Sequence, residues 1–123
     1  MVIDTSVFIE HLRAKDKFKT ILYNLPSNVE LFVSPVSLYE LYMGATTSEK
    51  ENDIKLITED LAILPFNEFV ALEAANIYHG LRLNNKMIEF RDIFIASTCL
   101  VNNLPLVTLN RKHFARIKGL EIF

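Results

Sequence analysis

Short, wholly apolar runs alternate along this chain with longer stretches in which apolar residues recur every three or four positions. That alternation predicts strands interleaved with helices. Val2-Ile3 is the first short run; it ends at Asp4, and Thr5 and Ser6 then offer hydroxyls suited to capping a helix built on Val7, Phe8, Ile9 and Leu12. Lys15 to Asn24 reads as a second helix, Pro26-Ser27-Asn28 as a turn and Leu31-Phe32-Val33 as a buried strand. Ser34-Pro35 marks a helix start, with serine as the cap and proline where its missing N–H costs nothing, and that helix stops near Gly44. An exposed helix over Thr46 to Asp60 and a strand over Leu61 to Leu64 follow. Phe66 to Leu83 predicts one long amphipathic helix with Phe69, Val70, Leu72, Ala75, Ile77 and Leu81 on its apolar stripe. Phe90 to Val101 is a buried helix, Leu106 to Leu109 a strand, Asn110 to Arg116 a short helix and Leu120 to Phe123 a last strand.

Strands separated by helices imply an α/β fold with a mainly parallel central sheet flanked by helices, because parallel neighbours need crossover connections. The chain of 123 residues is the size of one domain, 1–123, and shows no repeat or linker. Such sheets bind their ligands at the carboxyl ends of the strands. Two polar clusters fall there: Asp4-Thr5-Ser6 after the first strand, and Thr108 to Asn110 after the fourth.

The apolar content of 50% is high for a small monomer and predicts that a second copy or a partner covers part of the surface. Thirteen basic against fifteen acidic residues argue against a general nucleic-acid coat, without excluding an enzyme that approaches nucleic acid through a metal ion. The lone Cys99 removes zinc ribbons and disulfide scaffolds. The N-terminus lacks the basic flank of a signal peptide, and Asn102, Asn103 and Pro105 interrupt the longest uncharged stretch. A cytoplasmic protein with no membrane segment is expected.

The informative residues are acids in apolar surroundings. Asp4 follows Val2-Ile3 directly, Glu40 lies between Tyr39 and Leu41, and Asp92 opens the hydrophobic helix Asp92-Ile93-Phe94-Ile95-Ala96. A buried carboxylate neutralises, finds donors or binds a cation. Three such acids gathered in one pocket would repel one another unless a divalent ion were present. Oxygen ligands without a histidine or cysteine cluster point to Mg²⁺ or Mn²⁺. Taken singly, each acid has a second reading: Asp4 as a helix cap, Asp92 as a first-turn acid favoured by the helix dipole, Glu40 as part of a solvated face.

Four segments, Val2-Ile3-Asp4-Thr5-Ser6, Ser34-Pro35-Val36-Ser37-Leu38-Tyr39-Glu40-Leu41, Asp92-Ile93-Phe94-Ile95-Ala96 and Leu106-Val107-Thr108-Leu109-Asn110-Arg111-Lys112-His113-Phe114, together resemble a PIN-domain ribonuclease. The chain is most similar to the VapC-type toxins of type II toxin–antitoxin pairs, and the resemblance spans essentially its whole length. It implies a PIN-like three-layer α/β/α fold and an endoribonuclease in which Asp4, Glu40 and Asp92 bind Mg²⁺ or Mn²⁺ and orient water for cleavage of RNA. By the same resemblance Thr5, Ser6 and Thr108 match hydroxyl positions that support the carboxylates, and Asn110 matches a fourth polar position. His113 stands where relatives often carry another acid, which leaves one fewer negative charge for a second metal.

The resemblance also implies a VapB-like antitoxin as partner, packed over the early helices, and a homodimer. Arg111, Lys112 and Arg116, with Lys118, form the densest basic run; they suit RNA phosphates or an acidic partner tail as well as a plain solvated face. Arg91 is placed to contact substrate or to pair with Glu89, and His113 to shuttle a proton or to sit idle on the surface. Leu22, Tyr23, Phe32, Tyr39 and Tyr42 are expected in the core rather than at an interface. An aspartate-nucleophile phosphatase would need an acid at Ser6, and a dinucleotide binder a glycine-rich first turn; neither exists. The competing reading is a catalytically inactive PIN-like module that binds other proteins.

Overall fold

The structure, a computed structural model, describes residues 1–123. Its elements are β1 (Val2–Ile3), α1 (Thr5–Arg13), β2 (Phe32–Val33), α2 (Pro35–Gly44), α3 (Ser48–Thr58), β3 (Ala62–Ile63), α4 (Glu68–Leu83), α5 (Phe90–Asn102), β4 (Leu106–Val107) and α6 (Arg111–Phe114). The strands form one sheet in the order β3-β2-β1-β4, and every pairing is parallel. The α/β class with a parallel sheet is therefore as expected. No helix is long and apolar enough to cross a membrane.

Side chains alternate across the two-residue strands, so each strand feeds both faces. Val2 and Leu106 join the core under α4 and α5, with Ala74, Ile77, Ile95 and Phe114. Ile3 and Val107 join the opposite core under α1, α2 and α3, with Val7, Phe8, Leu41 and Ile54. From β1 the chain moves outward through β2 to β3, then returns through α4 and α5 to place β4 on the other flank of β1. The direction of winding thus switches between β1 and β4, which is where a crevice opens at the carboxyl edge of such a sheet.

Two helix starts behave as their sequences dictate. Ser34 Oγ accepts from the Val36 N–H at 3.1 Å ahead of Pro35, and Asn67 Oδ1 accepts from the Val70 N–H at 3.0 Å at the start of α4. The left-handed Asn103 (φ 54°) ends α5, and the next N–H, of Leu104, reaches back to the Cys99 carbonyl at 3.0 Å.

Four expectations need correction. Lys15 to Asn24 is not a helix; only a 3₁₀ turn, Lys17–Lys19, forms there. Side-chain bonds replace the helical ladder: Asp16 accepts from the Phe18 N–H, Glu10 accepts from the Ile21 N–H, and Lys17 Nζ donates to the His11 and Leu12 carbonyls. On α4 the buried stripe is Val70, Ala74, Ile77 and Leu81, whereas Phe69 and Leu72 are about two-thirds exposed (60% and 66%) and Ala75 is also outside. The expected last strand reduces to a single parallel bridge between Leu106 and Ile122. Finally, Tyr23, Tyr39 and Tyr42 lie on the surface and not in the core: α2 packs on the sheet through Ser37 and Leu41, which turns Tyr39 and Tyr42 outward, and Tyr23 stacks edge-on against the exposed Phe18.

Candidate active site

The sheet register builds the site. Ile3 pairs with Val107, so Asp4 and Thr108 leave the sheet side by side, and the Asp4 N–H donates to the Val107 carbonyl at 2.9 Å. Asp4 is 2% exposed and lies at the N-terminus of α1, but its carboxylate caps nothing. It is held instead by two hydroxyls, since Ser6 Oγ donates to Oδ2 at 2.7 Å and Thr108 Oγ1 to the same oxygen at 2.8 Å. Each hydroxyl has one proton, so both are committed to Asp4, and each in turn accepts a backbone N–H: Leu109 to Ser6 and Asn110 to Thr108. The 3.5 Å between the two hydroxyls follows from their sharing one acceptor. Asp4 Oδ1 accepts no hydrogen bond, yet no buried side-chain polar atom in the molecule is left without a partner. This oxygen therefore keeps some contact with solvent.

Glu40 occupies the second turn of α2, and helical side chains tilt toward the N-terminus, which brings its carboxylate back to the strand ends. Thr5 Oγ1 donates to Glu40 Oε1 at 2.9 Å. The buried Ser37 hydroxyl lies 2.9 Å from the same Thr5 oxygen; a carboxylate only accepts, so Thr5 spends its proton on Glu40 and receives the one from Ser37. The outer Glu40 oxygen, Oε2, lies 3.3 Å from Arg91 Nη1, and Arg91 Nη2 holds Glu89 at 2.6 Å. The Arg91 guanidinium is accordingly held further toward its charged form, mainly by the Glu89 hydrogen bond and then by the Glu40 charge.

Asp92 sits in the first turn of α5. Its carboxyl pKa is pushed up to about 6, first by burial and then by the charges of Asp4, Glu40 and Glu89, with His113 acting in the opposite sense. The four acids therefore share one electrostatic field. His113 Nδ1 approaches Asp92 Oδ2 to 3.9 Å, at ion-pair rather than hydrogen-bond range.

The remaining candidates lie further out. Asn110 enters through its backbone N–H, and its side chain makes no hydrogen bond to any of the carboxylates. Arg111 donates to the Phe123 carbonyl at 2.8 Å and Arg116 to the Met87 carbonyl at 3.2 Å, while Lys112 is exposed. The Arg91–Glu89 pair is as anticipated; the Arg91–Glu40 contact and the role of Ser37 are not. Ser37 was legible only as the residue one helical turn before Glu40, on the same face.

One expectation is modified. No three Asp, Glu, His or Cys side chains are drawn together tightly enough to enclose an ion, so Asp4, Glu40 and Asp92 do not form a closed three-ligand cage. The donor set still fits a hard dication: it is all oxygen, hydroxyls hold one oxygen each of Asp4 and Glu40, Asp4 Oδ1 accepts no hydrogen bond, and only the Arg91 guanidinium meets the second oxygen of Glu40. Mg²⁺ retains several waters and needs only one or two direct carboxylates, so a partly open set suits it better than it suits Ca²⁺.

Comparison with known proteins gives a consistent picture. A family model described as "PIN domain" matches residues 1–120. Ribonuclease VapC of Rickettsia bellii is 31% identical over 129 aligned residues, covering 99% of this chain and 93% of its own length. Among solved structures, VapBC2 of Rickettsia felis bound to a promoter DNA fragment superposes with a TM-score of 0.87 at 23% identity, over 99% of this chain and 96% of the other. VapBC-5 of Mycobacterium tuberculosis, a member of the VapBC family of toxin–antitoxin systems, gives a TM-score of 0.69 at 25% identity, over 98% and 91%.

Proposed function

The chain belongs to the PIN-domain family and within it to the VapC ribonucleases, and from that premise we propose that it is a Mg²⁺- or Mn²⁺-dependent endoribonuclease whose centre is Asp4, Glu40 and Asp92. The observation that carries the proposal is the hydroxyl bracing. Ser6 and Thr108 hold one oxygen of Asp4 and leave the other without a protein partner, and Thr5 holds one oxygen of Glu40, whose other oxygen meets Arg91. An inactive binding module has no need of carboxylates positioned in this way, each worth several kcal/mol of desolvation if left unpaired.

Asp4 and Asp92 would hold the dication, and Glu40 would hold it or a water on it. A bound dication supplies charge neutralisation at the anionic phosphodiester and acidifies the attacking water. This chain's residues do the positioning. Ser6 and Thr108 fix the rotamer of Asp4, Ser37 and Thr5 fix that of Glu40, and Arg91 can leave Glu40 for a substrate phosphate without losing Glu89. His113 lies close enough to Asp92 to meet the same phosphate.

We further propose that the chain is the toxin of a pair with a small VapB-like antitoxin and works in the cytoplasm, where its substrate resides. The likeness to VapBC assemblies supports the pairing. Exposed Tyr39, Met43, Phe69, Leu72 and Leu83 support a surface covered by that partner and by a second copy. Purified chain incubated with labelled single-stranded RNA tests the reaction: cleavage should require Mg²⁺ or Mn²⁺, stop with EDTA, and vanish in Asp4→Asn. Undiminished cleavage by that variant, or in EDTA, overturns the assignment.

A further inference from the structure

A groove of about 540 Å³ separates the C-terminal half of α4 from the segment after α6, and the carboxylate centre makes no use of it. Lys86, Arg116 and Lys118 stand on its walls with the amides of Asn76 and Asn84 and one acid, Glu73. None of the three cations is in an ion pair; the ion pairs of the molecule are those of Arg91 and His113. In a chain of net charge -2, this is positive charge left unneutralised around a concavity. Arg116 is also held in place, through Nη1 on the Met87 carbonyl.

Two connections place the groove near the active site. His113, 3.9 Å from Asp92, lies one helical turn before Arg116, whose N–H donates to the His113 carbonyl at 3.3 Å. Along the chain, Lys86 is six residues before Asp92, a span of at most about 20 Å even when fully extended. Met87, which anchors Arg116, also lines the shallow depression that ends at Arg91.

We propose that this groove is a second RNA subsite, binding backbone phosphates of the same single strand several nucleotides away from the bond that is cut. The inference rests on the ribonuclease reading and adds a substrate-length preference to it. Glu73 favours RNA over an acidic peptide: it repels the anions of either, but it accepts a hydrogen bond from a ribose 2′-hydroxyl, a donor that acidic side chains lack. The two asparagine amides offer both donors and acceptors to base edges.

The test uses the full chain and two exposed residues whose loss leaves the core intact, in the double variant Lys86→Gln/Lys118→Gln, with its melting temperature measured alongside. Binding of a fluorescent 16-nucleotide RNA is read in the Asp4→Asn background, and kcat/KM for that RNA and for a tetranucleotide in the active background. Removing two phosphate contacts should flatten the slope of log affinity against log salt by about 1.4. Affinity for the long RNA should fall at least tenfold at low salt, and the ratio of long to short kcat/KM should fall in step. An unchanged salt slope and ratio, with the parent still cleaving RNA, overturns the subsite and leaves the ribonuclease reading intact. A parent that neither binds nor cleaves either RNA overturns both. A double variant that keeps its RNA affinity but loses binding to a polyglutamate peptide assigns the groove to acidic peptides and overturns the proposal.

Discussion

Replacing Asp92 by asparagine should make the protein inactive and more stable at once. The carboxyl titrates at about 6 in the folded chain against 3.8 as a free side chain, because burial and the Asp4, Glu40 and Glu89 charges disfavour its ionised form. A raised acid pKa means that the folded state binds the proton more tightly than the unfolded state. Its contribution is therefore fully present below pH 3.8, is lost as the pH rises through about 6, and stays lost above. The full shift corresponds to about 3 kcal/mol. Water still reaches the side chain, which keeps 18% of its surface exposed, and screening brings the expected effect to about 1–2 kcal/mol. Asparagine has the same shape and no charge, and Asp92 accepts no hydrogen bond that the amide would break; its one ion-pair contact is His113 at 3.9 Å. Thermal unfolding in EDTA should show Asp92→Asn melting higher than the parent by roughly 3–8 °C at pH 8, with the gap closing toward pH 4. Added Mn²⁺ should raise the melting temperature of the parent and leave that of the variant unmoved. A variant equally or less stable at pH 8, or a gap that does not change with pH, refutes the electrostatic account of this residue.

Thr108→Val removes a donor from Asp4 Oδ2 and strands the Asn110 N–H that Thr108 accepts; divalent affinity by calorimetry should fall 10- to 100-fold, and an unchanged affinity would show that Ser6 alone orients Asp4. Arg91→Gln takes a competing cation from the outer oxygen of Glu40, so Mn²⁺ should bind more tightly by less than one order of magnitude while RNA binds more weakly; weaker Mn²⁺ binding would mean that the guanidinium positions Glu40 rather than competing for it. Phe114 is wholly buried and fastens α6 to the α4–α5 core, so Phe114→Ala should cost about 3–5 kcal/mol in urea unfolding and loosen His113 against Asp92. A cost under 1 kcal/mol would show that α6 is anchored elsewhere.

The order of elements, the parallel sheet and the three odd acids were legible along the chain because each depends on neighbours a few positions away. Period-2 and period-3.6 patterns, the Ser34-Pro35 cap and an acid interrupting an apolar run are local signals. Lys15 to Asn24 misled for a related reason: its composition permits a helix, but Asp16 and Glu10 satisfy its backbone from their side chains, and pattern alone does not show that. Tyr39 and Tyr42 misled because hydrophobicity marks what can be buried, not which side of a helix meets the sheet.

What the sequence determined by itself was the inventory: a small parallel α/β domain with Asp4, Glu40 and Asp92 at its strand-end side, hydroxyls beside them and a basic run near its end. What the tertiary structure alone decided was which oxygen does what. Thr108 reaches Asp4 across 104 positions, and Arg91 reaches Glu40 from another helix. The same packing kept the acids from closing into a three-ligand cage and left three unpaired cations around the α4 groove. A hydrogen bond is settled by ångströms and tens of degrees between groups far apart in the chain. Those coordinates exist only once β1 and β4 have paired and both faces of the sheet have been covered.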